Sequence, residues 1–513
     1  MTDIPDKGLT EFKRGDEIQL TIDDAAYEGK TVGRKGGFVV FVEGAVPGDV
    51  VRARLFKVKK NFAEAKVVAI EQPSPLRTTP QCDHFGVCGG CKWQHVDYEA
   101  QLRFKRQHVV DAFERIGGFS NPEVLPIIGS DEKYFYRNKM EFSFSDQEWL
   151  VAPPVRVDLG ETNNDSAPTT AGGLQLRNAT AFLSLDPSNP PPSTHNLYLG
   201  LHVPQRYDKV LDIKECHLQS AESNAVLTFT RAFALQSGLA VYNSDTHTGY
   251  FRFLVIRQSK RTAELMVNLV TFEDRPEIME RYADEVCAVV PGVTTVVNTI
   301  NAKKAQIAFG EVEKVYRGSG VIHERLGNHT FSISASSFFQ TNTAQAERLY
   351  TVARSFADLG PMDVVWDLYS GTGSIAMFVS DAVKSVIGIE SVESAVTDAR
   401  RNAERNNVTN CTFISGDLKD RLTKETGWMN AQNKPDVLII DPPRSGMHAK
   451  VVEEILSLSP SRIVYVSCNP TTQARDVKLL CAEKYALRKL QPVDMFPHTY
   501  HIENVAVLQA RAR

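Results

Sequence analysis

Val364-Val365-Trp366-Asp367-Leu368-Tyr369-Ser370-Gly371-Thr372-Gly373-Ser374 passes from a strand-like apolar run directly into a glycine-rich turn. The pattern repeats around it. Ala344 to Leu359 reads as an amphipathic helix, Val386 to Glu390 as a second strand and Ser394 to Asn406 as a helix, with Asp436 to Asp441 and Arg462 to Ser467 as further strands. Apolar strands alternating with helices predict a doubly wound, mainly parallel sheet. Ligands of such sheets lie beyond the carboxyl ends of the strands, so chemistry is expected in the residues that follow each strand.

The chain has 513 residues, 58 Lys+Arg against 62 Asp+Glu, and 42% hydrophobic residues. That is an ordinary globular composition, and at ~100–200 residues per domain it predicts about three domains. It excludes a disordered chain, a collagen-like one and a small disulfide scaffold. The opening residues carry no apolar signal-peptide core, and no run approaches the ~18 apolar residues of a membrane helix, so a cytoplasmic chain without a membrane partner is expected. A net charge of -4 argues against nonspecific coating of nucleic acid and leaves room for a local basic face. Eight cysteines in a reducing compartment point to metal binding or catalysis rather than to disulfides.

Toward the N-terminus, Glu17 to Ile22, Gly37 to Val42, Val50 to Val58 and Ala65 to Ile70 read as short strands separated by Gly-containing turns, which predicts a small β-barrel. Arg52, Arg54, Lys57, Lys59 and Lys60 fall on one strand and its turn, either as a charge-protected edge or as a phosphate-binding strip. Glu71 to Pro80, with three prolines, reads as a linker. Gln147 to His195 is rich in Pro, Ser, Thr and Asn and reads as an inserted loop.

Four motifs carry chemistry. In the glycine turn, Ile375 stands where a dinucleotide fingerprint has its third glycine, and no Gly-Lys-Ser/Thr follows; with Glu390 ending the next strand, the turn suits S-adenosylmethionine, whose ribose an acid can hold. Asp441-Pro442-Pro443-Arg444 places an acid on a rigid turn at another strand end, and Arg444 stands where amine-methylating enzymes present an aromatic ring. Ser467-Cys468-Asn469-Pro470 sets a thiol at a strand end of the same sheet. Beside a methyl donor that thiol suggests addition to a pyrimidine, because C5 of uracil takes a methyl group only after a thiolate has added at C6. The hydrogen left on C5 then demands a base, for which Glu503 is the candidate. Finally, Cys82, Cys88 and Cys91, followed by Cys216, form a metal-binding pattern that spacing leaves open between zinc and iron–sulfur, with His84 and His95 as further zinc donors. Around it, Lys92, Trp93, Arg103, Lys105 and Arg106, then Tyr134, Tyr136, Arg137 and Lys139, then Arg257, Lys260 and Arg261, mix rings with cations as RNA binding requires.

With these motifs the sequence resembles the RNA uracil-5-methyltransferases, most closely the branch acting on 23S ribosomal RNA. Gly15 to Ile70 with Val46-Pro47-Gly48-Asp49 is similar to a TRAM barrel, and Tyr136-Arg137-Asn138-Lys139, Phe338-Phe339-Gln340-Thr341-Asn342 and the closing Phe-Pro-x-Thr-x-His-x-Glu match family motifs. The resemblance implies a multidomain α/β chain: an OB-like barrel over 9–71, a mixed α+β iron–sulfur and RNA-binding domain over 72–328 with its insertion at 147–195, and a Rossmann-like methyltransferase over 329–513. It implies S-adenosylmethionine contacts at Gln340, Tyr369, Glu390 and Asp441, with Ser374 and Asp417 beside them. Cys468 is implied as nucleophile, Glu503 as base, and a [4Fe–4S] cluster on Cys82, Cys88, Cys91 and Cys216. The expected partner is 23S rRNA, its uridine flipped into the pocket; no obligate protein partner and a monomer are expected. Ser370 replaces a common Cys, and Gln473 interrupts a leucine-containing run, which predicts a packing change.

Rival readings are tRNA uridine methylation, disfavoured because that branch usually lacks barrel and cluster, cytosine-5 methylation, which expects an additional Pro-Cys motif, and a non-catalytic RNA-binding or ribosome assembly factor. The joint presence of Gln340, Cys468, Glu503 and the glycine turn argues against the last.

Overall fold

The computed structural model describes residues 12–149, 196–202, 209–422 and 434–511, so nearly all of the inserted loop lies outside the described residues. They divide into two compact units, one of residues up to Phe104 with His498–Tyr500, the other of most of the remainder. No helix among the described residues is long and apolar enough to cross a membrane.

The first unit is built on a closed five-stranded barrel of β1 (Glu17–Ala25), β2 (Thr31–Lys35), β3 (Phe38–Glu43), β4 (Val50–Val58) and β5 (Phe62–Gln72), in the order β1-β2-β3-β5-β4. Alternate residues fill it: Ile18, Leu20 and Ile22; Val40 and Val42; Val51, Ala53 and Leu55; Ala63, Ala65 and Val67. The cation strip is largely neutralised, since Arg52 and Arg54 pair with Glu17, and Lys57 with Glu64. These exposed pairs leave little free charge for a phosphate strip, and β4, paired with both β1 and β5 in the closed barrel, is not the edge strand expected. The expected linker is instead stapled down. Asp49, fully buried, accepts from Val46 N at 2.6 Å, from Ser74 N at 2.8 Å and from both Nε and Nη2 of Arg77 at 2.7 and 2.6 Å. A two-pronged guanidinium satisfies a carboxylate that would otherwise be costly to bury.

The second unit holds two large sheets. One runs β12-β11-β10-β9-β6-β7-β8, from β6 (Lys139–Ser145), β7 (Tyr198–His202), β8 (Val210–Asp212), β9 (Phe251–Gln258), β10 (Leu265–Thr271), β11 (Val293–Ile300) and β12 (Val312–Arg317). It is antiparallel except between β10 and β11, which the helix Pro276–Val289 joins. A hairpin follows, β13 (Val321–Leu326) with β14 (His329–Ser334).

The other sheet runs β17-β16-β15-β18-β19-β21-β20. Five strands are parallel: β15 (Val364–Leu368), β16 (Ser385–Glu390), β17 (Cys411–Ser415), β18 (Val437–Ile440) and β19 (Arg462–Ser467). The strands β20 (Tyr485–Val493) and β21 (Glu503–Ala510) close it antiparallel. Their residues are buried on both faces, Val365, Ile439 and Val464 into one core and Trp366, Leu438, Ile440 and Tyr465 into the other. That explains the near-continuous apolar runs. The strand order reverses at β15, so the turn after it opens into the crevice where such sheets bind ligands.

Several residues expected on an RNA face are structural. Lys105 is fully buried and donates to Asp494 at 2.6 Å and to Phe496 O at 3.0 Å. Arg106 donates to Val124 O and Leu125 O, Arg257 to Ala335 O and Ser337 O, and Tyr136 Oη to Pro497 O. Trp93 packs with Val46, Val96 and Ala100. Replacing Lys105 by Ala leaves Asp494 buried without its cation, at a cost of about 3–5 kcal/mol, while Lys105→Met with Asp494→Leu recovers most of it; urea unfolding curves of both variants measure the difference.

Candidate active site

The turn after β15 is shaped by backbone that only a few residues tolerate. Tyr369 sits at φ 66°, and Gly373 at φ 77° lies where a Cβ would meet the Phe413 ring at 2.6 Å. Amides of Tyr369 and Ser370 both donate to Ile389 O, and Gly371 N donates to Glu390 Oε2 at 3.1 Å. The other oxygen of Glu390 accepts from Val392 N at 2.8 Å, so the acid fixes the turn as well as facing the crevice mouth. Ala376 N donates to Asp367 Oδ2, while Asp367 Oδ1 is buried without a partner.

A cavity of about 430 Å³ opens at this strand edge, lined by Tyr369, Ile389, Ser391, Asp417, Pro443 and Met447. Of the four expected cofactor contacts it contains Tyr369 itself; both chain neighbours of Glu390 line it, as does Pro443, two residues past Asp441, and Gln340 lies outside it. Asp417 caps the short helix Leu418–Arg421 through Lys419 N. The segment carrying Gln340 meets the glycine turn from the other side, where Thr372 Oγ1 donates to Phe338 O.

Beside the crevice the structure gathers Cys468, Asp441, Glu503 and Arg444 into one charge-coupled group. Cys468 ends β19 just before the helix Pro470–Glu483, whose N-cap Asn469 accepts from Thr471 N and donates to Arg444 O at 3.1 Å. Burial pushes its thiol up to about 11, Glu503 adds to the rise, and Arg444 opposes it. Burial holds Asp441 up to about 7, and burial together with Asp441 lifts Glu503 well above the carboxylate range. Glu503 is the first residue of β21, 5% exposed. Arg444 donates to Nδ1 of His501 at 3.2 Å. Burial and the nearby Arg444, Lys105 and Arg137 hold His501 down to about 4, so it is neutral and able to accept.

Gln473 is more than a packing change. Its amide donates to Tyr465 O and Asn504 O, and its carbonyl accepts from Asn504 Nδ2 at 2.7 Å, which ties the helix after Cys468 to the residue after Glu503. Arg444, His501 and the orphaned Asp367 oxygen were not foreseen as working groups; their only signal was their place in strand-end motifs.

The four metal-pattern cysteines are half-buried and form no disulfide. Cys88 Sγ accepts from Gly90 N at 3.3 Å, and Cys216 N donates to Asn224 Oδ1 at 2.9 Å. Among the described residues no three His, Cys, Asp or Glu side chains stand close enough together to hold a metal ion. His95 hydrogen-bonds Ala45 O and is held neutral, down to about 4, by burial and Arg77.

A glycine turn, strand-end acids and a strand-end thiol on a doubly wound sheet are the features of an S-adenosylmethionine-dependent methyltransferase. Residues 259–511 match the family model described as tRNA (Uracil-5-)-methyltransferase, and residues 11–68 match the TRAM domain. An uncharacterized RNA methyltransferase of Chlorobaculum tepidum is 41% identical over 97% of both chains, and one of Porphyromonas gingivalis is 42% identical over 95% of this chain and 99% of its own. The crystal structure of Pyrococcus abyssi tRNA (uracil-54, C5)-methyltransferase in complex with S-adenosyl-L-homocysteine is similar with a TM-score of 0.69 and 27% identity, covering 96% of this chain and 100% of that one. The chain belongs to the TRAM-containing RNA uracil-5-methyltransferase family.

Asp441→Asn tests the crowding of carboxylates. The folded chain keeps Asp441 protonated to about pH 7, whereas the unfolded chain releases that proton near the ordinary aspartate value of 3.8. A raised native pKa gives stability that is complete below the unfolded pKa and lost as pH rises through the native one. The neutral variant escapes that loss, so its gain over the parent, read from denaturant unfolding, is about 2–3 kcal/mol larger at pH 8 than at pH 5.

Proposed function

We propose that the chain methylates C5 of a specific uridine in 23S rRNA by covalent catalysis. The single observation that carries the chemistry is the coupled group of Cys468, Glu503, Asp441 and Arg444 beside the cofactor crevice. S-adenosylmethionine supplies a sulfonium methyl group, with Gln340, Tyr369, Glu390 and Asp441 as its contacts. Arg444 and the N-terminus of the helix after Cys468 favour the thiolate against its burial. Cys468 adds to C6 of the uracil, and the C5 carbon so made nucleophilic takes the methyl group. Glu503 removes the C5 proton, the C5–C6 double bond re-forms and the C6–sulfur bond breaks, returning Cys468.

A second reading, methylation of a tRNA uridine, is favoured by the likeness to the Pyrococcus abyssi enzyme, which covers the barrel-bearing chain almost entirely. The barrel therefore separates the two substrates less well than its usual absence from tRNA enzymes suggests. Mapping 5-methyluridine by mass spectrometry in ribosomal and transfer RNA, from cells with and without the gene, decides between them: loss of one large-subunit position supports the first, and loss confined to tRNA replaces it with the second.

The chemistry is tested by variants. Cys468→Ala abolishes turnover, a fall of at least about 10³-fold, while leaving S-adenosylhomocysteine binding intact; retained turnover refutes the nucleophile. Glu503→Gln methylates once and accumulates a covalent RNA adduct visible on denaturing gels, and rapid release of methylated RNA removes the base assignment.

Cys82, Cys88, Cys91 and Cys216 are proposed to hold a [4Fe–4S] cluster. Cysteine thiols are the donor chemistry such a cluster takes, Cys88 Sγ and the Cys216 thiol already receive backbone N–H groups, and His95 is committed elsewhere. When bound, the cluster supplies a one-electron redox centre held by thiolates. Protein purified without oxygen carries about four irons per chain, and single Cys→Ser variants lose them; stoichiometric zinc overturns the assignment.

A further inference from the structure

We infer that Thr343, with Asn138 and Glu324 on either side of it, is a positioning residue for cofactor binding: a buried hydrogen-bond relay that fixes the backbone at Gln340. The inference rests on the reading of Gln340 as a cofactor contact and adds the groups that hold it in place.

Thr343 is the first residue of the helix Thr343–Ala357 and is 1% exposed. Its hydroxyl donates to Glu324 Oε2 at 2.9 Å and accepts from Asn138 Nδ2 at 2.9 Å. The same Asn138 amide donates to Gln340 O at 2.8 Å, and Asn138 N donates to Thr341 O at 2.8 Å. The direction of the relay is fixed at its far end. Glu324, fully buried on β13, also accepts from Ser259 Oγ and from the backbone amides of Lys260, Arg261 and Arg325. A carboxylate is acceptor-only, so the Thr343 hydroxyl must donate to it and turn a lone pair to Asn138, whose amide must in turn present hydrogens to Thr343 and Gln340.

The segment so held is the bridge between the two halves of the site. Upstream, Arg257 donates to Ala335 O and Ser337 O, and Phe338 O receives the glycine-turn Thr372. Downstream, Asn342 Nδ2 donates to Met495 O and Gln345 Nε2 to Asp494 O, on the stretch that leads to Glu503. Apolar packing alone cannot place a chain that approaches a ligand with its polar backbone, and three donors aimed at successive carbonyls can.

The test is calorimetric titration of the full chain with S-adenosylhomocysteine, without RNA, for Thr343→Val, Thr343→Ser and Asn138→Ala, with melting temperatures recorded alongside. Thr343→Val keeps the branched shape and loses the hydroxyl, so the dissociation constant rises about tenfold, the value of one broken buried hydrogen bond. Thr343→Ser keeps the hydroxyl and stays within about twofold of the parent, and Asn138→Ala, which cuts the relay at its other end, matches Thr343→Val. In steady state the KM for S-adenosylmethionine rises by the same factor, while kcat at saturating cofactor and the KM for RNA stay within about threefold. Equal losses in the Val and Ser variants, or a rise in the RNA KM alone, overturn the inference. Gln340→Ala separates it from the reading beneath: weakened binding there with none in Thr343→Val sinks the relay only, and unchanged binding in Gln340→Ala sinks the cofactor role of Gln340 and the relay with it.

Discussion

Burial of carboxylates against one another is the constraint on which the site depends. Asp367, Asp441 and Glu503 lie at or near strand ends of one sheet; loss of water lifts Asp441 from its ordinary range, and loss of water together with the Asp441 charge lifts Asp367 and Glu503. A fold tolerates such crowding only where the surrounding scaffold over-determines it. Here the scaffold is the parallel sheet with apolar cores on both faces, and the crowding lies at its carboxyl edge, where a sulfonium cation brings compensating positive charge. The same low dielectric that raises Glu503 also raises Cys468. Arg444, in the same group as the thiol and bonded to a neutral His501, is the protein's own counterweight.

Buried ionic pairs do separate work away from this edge. Arg77 with Asp49 ties the turn between β3 and β4 to the chain that leaves β5, and Lys105 with Asp494 anchors the chain that leads to Glu503. Such pairs are costly to desolvate and costlier to break, and they specify one arrangement of loops that apolar packing would leave degenerate.

Much of this was legible in the sequence. Strands Val50–Val58, Val364–Leu368 and Arg462–Ser467 coincide with the expected ones, because a strand buried on one or both faces writes its period directly into apolar residues. Thr31–Lys35 escaped, being short and half polar, and so did β20, whose Arg488, Lys489 and Pro492 suit an outer strand and blur the pattern. The strand-end motifs located Cys468, Glu503 and Asp441. What could not be read were partnerships across hundreds of residues. Lys105 looks like a surface cation until Asp494 is beside it, and Asn138 gives no hint that its amide serves Gln340. Charge and ring content alone therefore over-counted the RNA-facing residues.

The antiparallel register of β19 and β21 acts as a ruler for the strand-end groups. Ser467 pairs with Asn504, so Cys468, one residue beyond Ser467, and Glu503, one residue before Asn504, share one end of the pair. A slip of a single residue would turn every side chain of β21 to the opposite face and carry Glu503 into an apolar core. The Gln473–Asn504 amide pair makes that slip expensive, since it strands two buried amides. Because a helix and a strand separate β21 from β19 in the chain, this contact is of the kind that forms late in folding, and the strand-end group is complete only when the ruler has been set.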